Sequence, residues 1–484
     1  MRRSHPLASA LLAGACALAV ATAASAQSAE TVRTAEVLRD AALRDNVALD
    51  YVTQVTTRFG ARPAGSPAEQ AAAAWSAEYL KSIGFQNVRI QEFPLVGWER
   101  GEDSAALLGH NPQSLVVAAL GHSIPTPAGG VEGEVVRFTT LEALQAAPDG
   151  SLRGKIAYVD AGQLIPMQDG SGYGPLTRIR GAGPAEAARK GALAFVMRSV
   201  GSDMHRMPHT GTTRYVDGKV PLPGFALSGP DASQLSRLMD ISEREGGPAP
   251  RLRLTSTARI YETRSQNVIA DLPGRTRPQE VIVLGSHLDS WDLGTGAIDD
   301  AAGGAITIAA AKAIMQHGAP ARTIRVILFG AEEVDQPNNT GNGGGAYLRS
   351  LSAEELANHV FTGESDFGAD RVYALGLPVG AQRSDFARAA ARVLYPIGVL
   401  PSADPETSGG ADIGPIVQAG VPVFRLNQDG TRYFDLHHTA DDTLDKIDPA
   451  QMSQNVAAWT ALIWLAADSD VDFRAMRPAA PAGR

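Results

Sequence analysis

Cysteine is almost missing: the 484 residues contain one, Cys16. It falls in a leader-like segment, so the remainder of the chain can neither form disulfides nor offer a thiolate to a metal. Any metal site must be built from His, Asp and Glu. Long apolar runs are missing beyond the N-terminus, which excludes an expected membrane-spanning helix. Basic excess is missing too. The formal charge is −9 and no basic stripe interrupts it, so charge argues against nucleic acid and anionic membrane as partners. Internal repeats are not evident.

The N-terminus has Arg2 and Arg3, an apolar run over 7–24 and the small-residue site Ala24-Ser25-Ala26. This is the pattern of a secretory signal peptide over 1–26, with Gln27 as the first mature residue and a periplasmic or secreted location. A lipoprotein is the weaker alternative. Ala13 fits a lipid-attachment box poorly, and the apolar run continues past Cys16.

After this leader, 30–85 reads as helical, interrupted by a Gly/Pro loop at 58–67. Residues 88–93 read as a strand. Short strands such as 155–159 and 194–197, a short helix near 184–190 and many turns give 126–256 the character of an inserted β-rich module. It splits a catalytic domain into 27–125 and 257–470. In the second part, strand-like runs at 281–284, 323–329 and 359–362 alternate with helix-like runs at 302–315, 385–394 and 451–467. That alternation predicts an α/β fold with a doubly wound, mostly parallel sheet. The tail 471–484, rich in Pro and Ala, is expected to be loose.

In such a sheet ligands bind beyond the carboxyl ends of the strands. The metal-binding residue types lie there. The 281–284 run leads into Gly285-Ser286-His287-Leu288-Asp289, and Asp299-Asp300 precedes the next helix. The 323–329 run leads into Gly330-Ala331-Glu332-Glu333, and the 359–362 run into Glu364-Ser365-Asp366. His437-His438-Thr439-Ala440-Asp441-Asp442-Thr443 precedes the last helix. Taken singly, each has an ordinary explanation: a surface histidine, a helix cap, a solvated acid pair. Together they converge on one crevice, and burying so many acids without a cation is costly.

These motifs, with Ser290-Trp291-Asp292 and Gly296-Ala297-Ile298 between them, resemble the co-catalytic di-zinc aminopeptidase and carboxypeptidase family, in its carboxypeptidase Q-like branch. Pro208-His209-Thr210-Gly211 and 221–228 are similar to that branch's protease-associated domain. The resemblance implies a phosphorylase/hydrolase-like zinc exopeptidase fold and two zinc ions. His287, Asp299 and Asp366 would hold one ion, and Asp299, Glu333 and His438 the other, with Asp299 bridging. Glu332 would be the general base. Asp289 would accept a hydrogen bond from His287, and Asp300 would shape the bridging turn through a cis peptide. His438 is favoured over His437 as the ligand. By the same resemblance Asp412, within 409–415, lines the substrate pocket.

The implied activity is hydrolysis of dipeptides or short peptides at a chain end. An aminopeptidase that trims longer peptides is the alternative. A receptor-like binding protein that has lost its ligands, and a glutaminyl-cyclase-like enzyme, are remote ones. The insertion is expected to cap the catalytic domain, to support a homodimer or to act as a lid, with His209 as a substrate contact. His110, His122, His205, His317 and His359 carry no such signal.

Overall fold

The computed structural model describes residues 27–44, 46–337 and 341–476. The expected leader, 1–26, and the end of the expected tail, 477–484, lie outside them. Among the described residues no helix is long and apolar enough to cross a membrane.

The central sheet has five strands in the order Gln86–Glu99, Arg259–Leu272, Arg322–Phe329, Arg277–His287, His359–Glu364. Its last three strands are parallel to one another, with Arg277–His287 between its two neighbours. Its first two run antiparallel to each other, and Arg259–Leu272 is antiparallel to Arg322–Phe329. The sheet is therefore mixed, not mostly parallel as expected. The chain leaves for the insertion at the end of Gln86–Glu99 and returns alongside it on Arg259–Leu272, which forces an antiparallel ribbon. A smaller three-stranded sheet joins Leu400–Pro401, Val372–Gly376 and Arg425–Gln428.

Side chains alternate across the central sheet with period two. Ile282, Leu284, Ile324, Val326 and Leu328 enter one core beneath the helices Val47–Phe59, Ala302–His317 and Pro449–Ala467. Val281, Val283, Ile327 and Phe329 enter a second core on the opposite face. Burial on both faces explains why these strands read as unbroken apolar runs. Asp448 starts the last long helix by accepting the backbone N–H groups of Ala450 and Gln451, ahead of Pro449 at the first turn.

The insertion contains an eight-stranded sheet. Its order is Gln113–Leu115, Asp103–Leu108, Arg251–Ser256, Val131–Phe138, Lys155–Val159, Ala194–Arg198, Gly224–Leu227, Val117–Ala119. Asp103–Leu108 pairs with Arg251–Ser256, so the expected boundary at 125/126 falls inside this sheet. The module is also more helical than expected, with 17-residue helices at Tyr173–Arg189 and Gly229–Glu245. The first is masked in sequence by Gly174, Pro175, Gly181, Gly183 and Pro184. The second buries only Asp231, Ala232 and Leu235 and so lacks a strong apolar stripe.

The tail differs from expectation as well. Phe473 is 1% exposed and stacks on Phe361 at 4.3 Å, while Arg474 Nη2 meets Glu280 Oε1 at 2.9 Å. Full burial of a Phe contributes about 1.5–3 kcal/mol, which pins 471–476 to the sheet.

Candidate metal centre

Strand ends deliver the site. His287 is the last residue of Arg277–His287 and is 2% exposed. Its Nδ1 meets the backbone carbonyl of Asp289 at 2.9 Å. Its Nε2 lies 3.1 Å from Asp299 Oδ1 and 3.4 Å from Asp366 Oδ1. On the other side of Asp299, Oδ2 lies 3.2 Å from Nε2 of both His437 and His438. His438 Nε2 is in turn 2.9 Å from Glu333 Oε2. The ligand atoms of His287, Asp299 and Asp366 lie within 4.8 Å of one another, and so do those of Asp299, Glu333 and His438. Two triads thus share one carboxylate.

The donor set fits divalent cations. His287 Nδ1 faces a carbonyl, as does His438 Nδ1, which is 3.1 Å from Thr210 O. A carbonyl only accepts, so each Nδ1 carries a ring proton, and Nε2 is the nitrogen left to bind a cation once it is free of a proton. Each Nε2 faces carboxylate oxygens. Glu333 Oε1 is buried without a partner, and Asp299 Oδ2 makes no well-directed hydrogen bond. A cation among these groups would satisfy those oxygens, and backbone carbonyls that fix ring tautomers are the usual support for histidine ligands. In the metal-free form, burial and then the charge of Asp299 push Glu333 well up. Burial together with the charges of Asp366 and Glu333 does the same to Glu332.

The supporting groups are oriented by backbone. Asp289 does not reach His287 through its carboxylate, whose Oδ1 is 3.8 Å from Nδ1; the carbonyl makes that bond instead. The carboxylate accepts the N–H groups of Glu332 at 3.1 Å and Glu333 at 3.2 Å, fixing the turn in which Ala331 adopts φ +59°. His438 has φ +61°. Non-glycine residues in this region are strained, and such strain gathers at functional sites. Asp299–Asp300 is a cis peptide. Asp300 accepts the N–H of His287 at 3.1 Å and of Gly303 at 3.0 Å. A Cβ on Gly303 would stand 1.9 Å from the Ser365 carbonyl, so only glycine lets this helix start against the turn carrying Asp366. Asp412 is 1% exposed; its Oδ1 accepts from Asn342 and its Oδ2 has no partner. Gly409 and Gly410 line a cavity of about 380 Å³ beside Asp366. A second cavity, about 610 Å³, opens on Glu333 between Trp98, Trp291 and Tyr261.

Two contributors, Arg62 and Arg100, carry no sequence signal. Arg62, 1% exposed, donates to the carbonyls of Leu288, Thr295 and Gly296 at 2.8, 2.7 and 2.9 Å, holding the loop between His287 and Asp299. Arg100 joins Asp292, at 2.6 Å, to Thr210 Oγ1, at 2.9 Å. Asp442 accepts the N–H groups of Ile298 at 2.6 Å and Asp299 at 3.3 Å. In Asp442→Asn the amide N–H₂ would face one of these donors. The expected result is a fall in zinc affinity of about 10–100-fold, measured by competition with a chelator of known affinity. His122 and His359 serve structure, against the carbonyls of Val96 and Glu355.

His437 and His209 extend the cluster. The His437 and His438 rings stack at 3.5 Å. His209, from the insertion, lies 5.1 Å from His437 and 5.5 Å from His438 between ring centroids.

Comparison with known proteins adds the following. Residues 267–463 match the model of peptidase family M28. The chain is similar to carboxypeptidase Q of Mus musculus, with 33% identity over 419 residues that cover 85% of this chain and 83% of the relative. It is similar to the crystal structure of a peptidase M28 precursor from Shewanella amazonensis SB2B, at 40% identity and TM-score 0.86, over 93% of this chain and 99% of that one. The fold also resembles that of a zinc aminopeptidase from Bacillus subtilis, at 20% identity and TM-score 0.63, over 88% and 98% of the two chains.

Proposed function

The chain belongs to peptidase family M28 and is a zinc metallo-exopeptidase, and from that premise we propose that it hydrolyses free dipeptides or very short peptides with two zinc ions. The observation that carries this reading is the pair of ligand triads sharing Asp299. His287, Asp299 and Asp366 would hold one ion, and Asp299, Glu333 and His438 the other. Zinc bound there supplies Lewis acidity towards water and towards the scissile carbonyl. Glu332 takes the proton of the attacking water and hands it to the leaving amine. Asp289 holds the Glu332 and Glu333 backbone in register for that transfer. His438 is the better ligand of the histidine pair, because it alone also faces Glu333.

The short substrate is supported by the roof over the site. Thr210 N–H donates to the His438 carbonyl at 3.0 Å, and Ser202 N–H to that of Phe434 at 3.1 Å. The insertion, which we read as a protease-associated domain, therefore closes one side of the centre and leaves little length for a long chain. The relatives named carboxypeptidase Q support action at a chain end. Rates on a free dipeptide, its N-blocked form and an aminoacyl-anilide test it. Cleavage confined to the free dipeptide is the expected pattern; an anilide cleaved best would instead identify an aminopeptidase.

Zinc binding should depend on pH. Burial alone would lower His287, but hydrogen bonds to Asp299 and Asp366 outweigh it and hold the ring well above its usual range when no metal is bound. Glu333 is raised likewise. The stripped site therefore holds protons to higher pH than the free groups would, and these must leave before a cation binds. Apparent zinc affinity should rise as pH rises, about tenfold per pH unit for each proton displaced. Chelator competition at pH 5.5, 6.5 and 7.5 reads this out, and a flat profile would contradict it.

A further inference from the structure

The cavity of about 610 Å³ that opens on Glu333 has aromatic walls. Trp98, Tyr261 and Trp291 line it, together with Ala64, Pro67 and Val334. Two of the rings are held from behind. Trp98 Nε1 donates to the Ser123 carbonyl at 3.1 Å, and the Arg100 guanidinium lies 4.9 Å from the Trp98 ring centroid. Trp291 meets Trp98 edge-on at 6.2 Å between centroids. Its far side is backed by Gly121 of the insertion, where any Cβ would clash with the indole. The charges at the rim are taken in pairs, Arg100 with Asp292 at 2.6 Å and Arg259 with Glu99. Apart from Glu333, then, the lining offers no unpaired charge. One polar group is left over. Trp291 is 7% exposed and its Nε1 has no hydrogen-bond partner, although buried polar atoms in native structures are normally satisfied.

The position of the cavity gives it a role. It touches Glu333, and Trp291 lies 5.7 Å from His438 between ring centroids, so it flanks the Asp299–Glu333–His438 triad. The cavity of about 380 Å³ flanks the other triad, at Asp366, and its character is opposite. Asp169, Glu364, Asp404 and Glu406 line it, and its one arginine, Arg425, is paired with Glu406 at 3.2 Å. A peptide bond held at the shared Asp299 has one residue on each side. The ammonium group of the amino-side residue is drawn towards the acidic cavity, which leaves the carboxyl-side residue at the aromatic one. We propose that the aromatic cavity receives the side chain on the carboxyl side of the scissile bond and selects a large, uncharged aromatic group. The inference rests on the dipeptidase reading above and adds which dipeptides are preferred. Ring pairs that meet edge to face gain more than burial alone supplies. A ring face or a phenolic oxygen in the guest also accepts the spare Trp291 N–H. Walls fixed in advance keep the ordering cost of binding low.

The zinc-loaded full chain is assayed with Ala-Ala, Ala-Phe, Phe-Ala and alanine anilide, as wild type, Ala68→Leu and Tyr261→Ala, with zinc content and Tm recorded for each. Ala68 is half-buried and lines the cavity, so the larger side chain takes up its space, whereas Tyr261→Ala removes a wall. We expect the wild type to show kcat/KM at least about tenfold higher on Ala-Phe than on Ala-Ala, the scale of burying one aromatic side chain, and no such gain on Phe-Ala. Each variant should cut the Ala-Phe to Ala-Ala ratio at least about threefold, the scale of one ring contact or of moderate overpacking. Either variant carries the test if the other does not fold. A wild type that cleaves dipeptides but treats Ala-Phe no better than Ala-Ala overturns the proposal and leaves the dipeptidase reading intact. A gain confined to Phe-Ala, or a ratio that neither folded variant moves, overturns it in the same way. Cleavage of the anilide alone would overturn both.

Discussion

Glu332→Gln is expected to retain zinc and the wild-type Tm while kcat falls about 10²–10⁴-fold, the usual contribution of a positioned proton carrier. Gln has the same shape, and the turn is held through the backbone N–H of residue 332 on Asp289, so its position should survive. What disappears is the capacity to take a proton. In the metal-free form Glu332 is pushed well up by burial and the nearby charges of Asp366, Glu333 and Asp299. Cations among those carboxylates remove the repulsion and leave Glu332 ionised, as a base must be. Steady-state rates beside zinc analysis of the same sample decide the matter. Turnover near normal would reassign the proton transfer.

Asp299→Ala should have the broadest effect of any single change. Asp299 belongs to both triads, whereas Asp366 belongs to one. The Asp299 variant is therefore expected to lose both ions, and Asp366→Ala to lose one. Lewis-acid stabilisation is worth several kcal/mol, and each increment of about 1.36 kcal/mol is tenfold in rate. The Asp299 variant should lose at least about 10³-fold in kcat/KM. Zinc per chain in the two variants, measured together, distinguishes a shared carboxylate from two independent sites. If Asp299→Ala keeps one ion tightly, the bridging role is wrong.

The parallel strands and the candidate ligand residues at their ends were readable in the sequence for a common reason. Strands buried on both faces leave unbroken apolar runs such as 281–284 and 323–329, and the chemistry begins where those runs stop, at His287 and Glu333. What could not be read lies in backbone atoms and long separations. The carbonyls of Asp289 and Thr210 set the tautomers of His287 and His438, and a carbonyl has no residue type. Sequence pointed to the Asp289 carboxylate, which turned out to hold the Glu332 turn. Arg62 reaches Thr295 across 233 positions, and Arg180 meets Thr210 through a fold that turn-rich sequence conceals. The antiparallel entry of Arg259–Leu272 depends on where the insertion returns, which strand periodicity does not encode.

Metal content and activity of the undepleted, purified chain test the central claim most directly. The account predicts two zinc ions per chain, complete loss of peptide hydrolysis in strong chelator and recovery when zinc is restored. A chain that is metal-free as isolated and fully active in chelator would contradict it.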